Sequence, residues 1–139
     1  MASDLTPYFG NKILRWLSDQ ADMPTRPDKT YLAIFNGNPK TSGTEVGATV
    51  NPSAARQEVQ WAALADGATH VITSSNAQDW GNSAAATVIS YIALFDDPTP
   101  GSGHMYASKA VNGGAQAVQV NSSVKFNVGA TSFNIGSDS

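Results

Sequence analysis

The residues that could do chemistry are few and scattered. His70 and His104 stand alone, outside any H-E-x-x-H spacing and without the clustered carboxylates that would complete a metal shell, so each reads as a strand-end or surface histidine. Asp96 and Asp97 are adjacent, and in a strand their side chains would point to opposite faces. They read as caps of a turn before Pro98 and not as a cooperating acid–base pair. Gly101-Ser102-Gly103-His104 has two glycines at phosphate-loop spacing but lacks the third glycine and a following helical pattern. There is no G-x-S-x-G nucleophile elbow. With no cysteine in the chain, thiolate metal sites, cysteine nucleophiles and disulfides are excluded. The residues assign no catalytic group, no metal ligand and no cofactor, and they predict a protein that is not an enzyme. A small hydrolase built on His70 or His104 is the least favoured class.

The aromatic residues offer more. Asp79-Trp80-Gly81 places an indole beside a flexible glycine, either as a plug under a loop or as a platform for a sugar ring. The plug is the favoured reading. In the alternative, a carbohydrate-binding module, Trp80 and Tyr106 would stack on the glycan, with Asp79, Asn76 and Asn82 as hydrogen-bonding partners. Trp16 and Trp61 fall on apolar faces and read as core.

These residues are positioned by elements that the pattern makes visible. Thr6-Pro7 is an N-cap and first helical residue, and Phe9, Ile13, Trp16 and Leu17 follow at helical spacing, which predicts one short amphipathic helix over about Pro7 to Asp19. Met23-Pro24 and Arg26-Pro27 stop it. Strands are predicted at Thr30–Phe35, Ala55–Ala62, Thr69–Thr73, Thr87–Phe95, His104–Ala110, Ala117–Asn121 and Val124–Val128, with Ser132–Ile135 as a last edge. Lys40–Pro52 reads as a long loop, Ser74–Ala84 as a polar linker, and Asn112-Gly113-Gly114 as a tight turn. The Thr87–Phe95 strand is apolar enough for a central position. Tyr31-Leu-Ala-Ile-Phe-Asn echoes Tyr91-Ile-Ala-Leu-Phe-Asp, which points to two strands in equivalent surroundings, neighbours in one sheet.

These elements fit one domain of 139 residues: a mainly β, antiparallel β-sandwich, jelly-roll-like or immunoglobulin-like, with one short N-terminal α-helix. Residues 1–28 form the helix and a Pro-rich link, and 29–139 the sandwich. Only 14% of residues are charged and the net charge is -3, with no basic stripe to neutralise a phosphate backbone, so nucleic acid is excluded as a partner. No apolar run is long enough to span a membrane, and the N-terminus lacks the basic and apolar regions of a secretory signal, so use without Sec export is expected.

The order of short motifs carries a resemblance. Leu5-Thr-Pro-Tyr, Tyr31-Leu-Ala-Ile-Phe, Gly43-Thr-Glu-Val, Ala55-Arg-Gln-Glu-Val, Asp79-Trp-Gly, Tyr91-Ile-Ala-Leu-Phe-Asp, Val111-Asn-Gly-Gly and Val124-Lys-Phe together resemble a family of small tailed-phage virion proteins commonly labelled tail-fibre proteins. The likeness spans nearly the whole chain; Ala48 to Ser53 and the run before Trp80 depart from the family pattern. The resemblance implies no catalytic residue. It implies a structural protein on the exterior of a tailed-phage particle, assembled in the host cytoplasm. Its partners would be other virion proteins, major capsid protein or tail proteins, and further copies of itself, with a trimer expected by analogy. A compact domain of this length is a bead about 30 to 40 Å across and cannot alone be a fibre shaft. Capsid decoration or cement is therefore placed slightly ahead of a tail or tail-fibre component. The candidate assembly anchor is the helix face of Phe9, Ile13, Trp16 and Leu17; the competing role for that face, packing across the open end of the sandwich, is favoured.

Overall fold

The two segments that echo each other lie side by side. The computed structural model describes residues 3–64, 66–67 and 70–134. Its elements run α1 (Pro7–Leu17), β1 (Thr30–Phe35), α2 (Gly47–Val50), β2 (Gln57–Val59), β3 (Val71–Thr73), β4 (Gln78–Asn82), β5 (Thr87–Ile89), β6 (Tyr91–Phe95), β7 (Met105–Ala110), β8 (Gln116–Val118), β9 (Ser123–Phe126) and β10 (Ser132–Asn134). β1 and β6 pair antiparallel with Leu32 opposite Leu94, Ala33 opposite Ala93 and Ile34 opposite Ile92. The echo is a local two-fold, since reversing one strand sets each residue type against its own kind. Side chains alternate across a strand, so the Leu/Ile row falls on one face of the sheet and the Ala/Phe row on the other.

β1 and β6 are the interior strands of a four-stranded sheet in the order β2-β1-β6-β7. The Leu/Ile face is covered by three antiparallel ladders, β4–β9, β5–β8 and β3–β10, in a sandwich-like arrangement. Leu32, Ile34, Ile92 and Leu94 meet Trp80, Ile89, Val118, Val124 and Phe133 in one cluster. Fully burying aliphatic side chains of this kind stabilises the fold by about 1.5–3 kcal/mol each. The covering strands are hydrogen-bonded in pairs and not joined into one continuous second sheet.

Four local differences from the sequence reading have physical reasons. The single strand expected over Thr87–Phe95 divides at Ser90: β6 stays in the four-stranded sheet while β5 crosses to pair with β8. The run is apolar throughout because it contributes to both layers. Ser74–Ala84 is not all linker, for β4 lies within it. Within Lys40–Pro52, Glu45 bridges to Phe35 and α2 forms a single turn. α1 ends at Leu17, before Pro24, because Asp19 adopts a left-handed φ of 61° that terminates the helix. The expected strand residues Thr69 and Ile135 lie outside the described residues.

The N-terminal segment closes the sheet edge. Ser108 N donates to Asp4 O at 2.8 Å, Thr6 N donates to Tyr106 O at 2.9 Å, and Leu5 bridges Ala107, so the exposed edge of β7 is paired. Asp4 N also donates to Asn134 O at 3.1 Å, which ties the same segment to β10. Among the described residues no helix is long and apolar enough to cross a membrane.

Candidate assembly site

α1 is fastened at one end. Thr6, buried at the N-cap, accepts from Phe9 N at 3.3 Å through its hydroxyl, which itself donates to Met105 O. The Phe9 ring meets Tyr106 edge-on at 4.9 Å between centroids, and Tyr8 stacks on His104 at 4.3 Å with planes 8° apart. Tyr106 is held in turn by Asp96, whose Oδ2 accepts from the phenol at 3.1 Å and whose Oδ1 accepts from His104 N at 2.8 Å. Burial, reinforced by the Asp96 carboxylate, pushes the Tyr106 phenol up to about 12, so it is the neutral donor throughout the physiological range.

Beyond this clasp the helix is uncovered. None of its residues is fully buried: Phe9 and Ile13 are half-buried, while Leu14, Trp16 and Leu17 are 64%, 55% and 72% exposed. Trp16 reads as core by its spacing; it is not, because the helix leans on β7 through its first turns, where Tyr8 and Phe9 pack on His104 and Tyr106. Lys12 and Arg15 are the charged residues of the helix, and both are basic. Beside it lies an open hollow of about 500 Å³ lined by Leu5, Pro7, Gly10, Ile13, Leu14 and Lys40 among others. Of the four anchor candidates, Phe9 and Ile13 thus lie at the body and Trp16 and Leu17 face outward.

The residues considered for a glycan are placed differently. Trp80 is 1% exposed, its Nε1 donates to Ala55 O at 2.9 Å, and Phe126 packs edge-on at 5.8 Å. It is a core plug with no open ring face. The Asp79-Trp80-Gly81 step is a β-bulge between β4 and β9: Asp79 pairs with Lys125 and Gly81 with Val124, leaving Trp80 as the extra residue. Gly81 takes a φ of 76°, and Asp79 Oδ1 accepts from Gly81 N at 2.8 Å to fix the turn. Tyr106 is buried in the clasp, and Asn76 is committed to Gln60 N, Gln78 and Glu58 O. Among the described residues no three His, Asp or Glu side chains converge as a metal site would require.

Residues 4–134 match the family model described as Podophage GP4 fiber I protein gp80. The chain belongs to this phage fibre family. No curated protein matches it. Two motifs of the fibre protein acquire a meaning that the sequence did not disclose. Gly43-Thr-Glu-Val supplies Glu45 and Ala55-Arg-Gln-Glu-Val supplies Arg56, and the two side chains form a bidentate pair at 2.8 and 2.9 Å. The same guanidinium donates to the carbonyls of Asp97 and Ser102 at 2.8 and 3.0 Å and lies 3.8 Å from the Phe95 ring centroid. Arg56 has a side chain only 1% exposed, so it clips two loops of the fibre protein to the Ala/Phe face of the sheet. A lone Arg and a lone Glu eleven residues apart carry no spacing signal, so the sequence could not have paired them.

Proposed function

We propose that this fibre-family chain is a non-enzymatic structural component of the fibre on the exterior of a tailed-phage particle, assembled in the host cytoplasm, and that it joins neighbouring virion proteins through the outward half of α1. The observation that carries this reading is the apolar end of α1: Leu14, Trp16 and Leu17 all lie exposed within the last turn of a helix whose other end is firmly clasped. Leaving such side chains in water forgoes burial free energy that a partner would recover, and large apolar side chains gathered at one exposed helix end suit an interaction site. Lys12 and Arg15 beside it favour a partner surface with an acidic rim. Since one bead of this size is far shorter than a fibre, length comes from association with further copies or with other fibre chains.

The family match supports a fibre component over capsid decoration. Co-sedimentation of the purified protein with isolated tails and, separately, with undecorated capsids tests this. Binding to tails is expected; saturable, regularly spaced binding confined to capsids would overturn the fibre reading in favour of a cement role.

A further inference from the structure

Asn-Gly occurs twice in the chain, at Asn36-Gly37 and Asn112-Gly113, and the fold treats the two pairs differently. In this dipeptide a side-chain amide stands next to an unhindered main-chain nitrogen. Glycine has no Cβ to shield its N–H or to limit the backbone rotation that brings the nitrogen to the amide carbon. Whether the two groups meet depends on how firmly the surroundings hold them.

Asn36 is held. Its Oδ1 accepts from Thr44 N at 2.9 Å, and its own N donates to Thr44 O at 3.0 Å. The bridge between Phe35 and Glu45 continues this closure, and Gly37 lies so close to Gly43 that a Cβ on Gly43 would overlap the Gly37 carbonyl. Asn112 is placed otherwise. It lies in the turn from β7 to β8, exposed, and among the described residues its carboxamide makes no hydrogen bond and the Gly113 N–H has no acceptor. Gly114 N donates to Val111 O at 3.2 Å to close the turn, with Gly113 at a φ of 84°. Gln116 Nε2 donates to the carbonyls of Gly113 and Gly114 at 3.5 and 3.1 Å, neither of which is a reacting atom.

We propose that Asn112 is a site of spontaneous deamidation, with water as the co-reactant. The Gly113 nitrogen gives its proton to solvent and bonds to Asn112 Cγ; the bond from Cγ to the side-chain nitrogen breaks, and that nitrogen takes up a proton and leaves as ammonia. Water then opens the five-membered imide. Opening at Cγ gives aspartate, and opening at the main-chain carbonyl gives isoaspartate, in which the chain runs through Cβ and Cγ. Either product makes the net charge of -3 one unit more negative. Isoaspartate also lengthens the main chain by one carbon between β7, in the four-stranded sheet, and β8, in the layer that covers it. The site is independent of α1 and of the assembly reading.

Incubating the full chain in warm, mildly alkaline buffer made with ¹⁸O water, and mapping digests by mass spectrometry over time, tests this. Heavy oxygen in a product peptide marks a reaction of the intact chain and not of the digest, and Asn112→Gln supplies the blank. In the folded chain Asn112 is expected to lose its amide about tenfold faster than Asn36, whose side chain must first break a hydrogen bond. In urea, where no fold holds either pair, the two rates are expected to converge. Equal rates in the folded chain, faster loss at Asn36, an Asn112 amide that survives in the folded chain while both react in urea, or a difference that persists in urea would overturn the proposal.

Discussion

Arg56 shows what a single buried charge does in this molecule. Its guanidinium reaches Glu45 and the carbonyls of Asp97 and Ser102, so removing either charge leaves the other without its counter-ion in a region that water barely enters. Glu45→Ala is expected to cost about 3–5 kcal/mol in urea denaturation, and replacing both residues with methionine to cost less than the sum of the two single changes. Tyr106 is the residue whose titration reports on the α1 clasp. Its phenol is raised from 10.0 to about 12 in the folded protein, so the folded state holds a proton that the unfolded chain gives up between those values. The resulting stability is complete below pH 10 and is lost as the pH rises toward 12; Tyr106→Phe removes this component of the pH dependence of the thermal midpoint while keeping the ring contacts with Tyr8 and Phe9.

Two glycines separate the elements that are clasped from those that are crowded. A methyl at Gly10, on α1, would meet nothing within 4 Å, whereas one at Gly47, the first residue of α2, would run into the Ala55 carbonyl. Gly10→Ala is therefore expected to raise stability by up to about 1 kcal/mol and Gly47→Ala to lower it by about 1–3 kcal/mol, as measured by chemical denaturation. How legible each element was follows the same logic. β1 and α1 were readable because their signals are local: a bounded apolar run, and an N-cap with a 3.6-residue period. The pairing of β1 with β6 was readable from the echo between them. The division at Ser90 was not, since an apolar run serving two layers has the same composition as one long strand. β4 was hidden because Trp80 is its one large apolar side chain: the other inward residue is the polar Gln78, and the bulge at Trp80 leaves Gly81 and Asn82 both exposed. At the candidate site, the helix face was legible as amphipathic, but whether a neighbour covers it depends on non-local contacts; Trp16 consequently reads as core by period and stands exposed in fact.

At the scale of the whole molecule, the fold separates a self-sufficient body from an unsatisfied end. The N-terminal segment pairs the edge of β7 and reaches β10, so the sheet presents little there for adventitious pairing, while the end of α1 presents apolar side chains to solvent. Because Leu14, Trp16 and Leu17 contribute little burial in the isolated chain, changing them to serine is expected to move its stability by no more than about 0.5 kcal/mol per site, which a thermal melt checks. Association should respond far more strongly. The most direct measurement adds the purified chain, as wild type and as the Leu14→Ser/Trp16→Ser/Leu17→Ser variant, to particles assembled without it, and counts restored fibre density by electron cryomicroscopy. The account predicts that the wild type restores density at the fibre position and that the variant, still folded by its thermal melt, does not; equal occupancy by both proteins would contradict it.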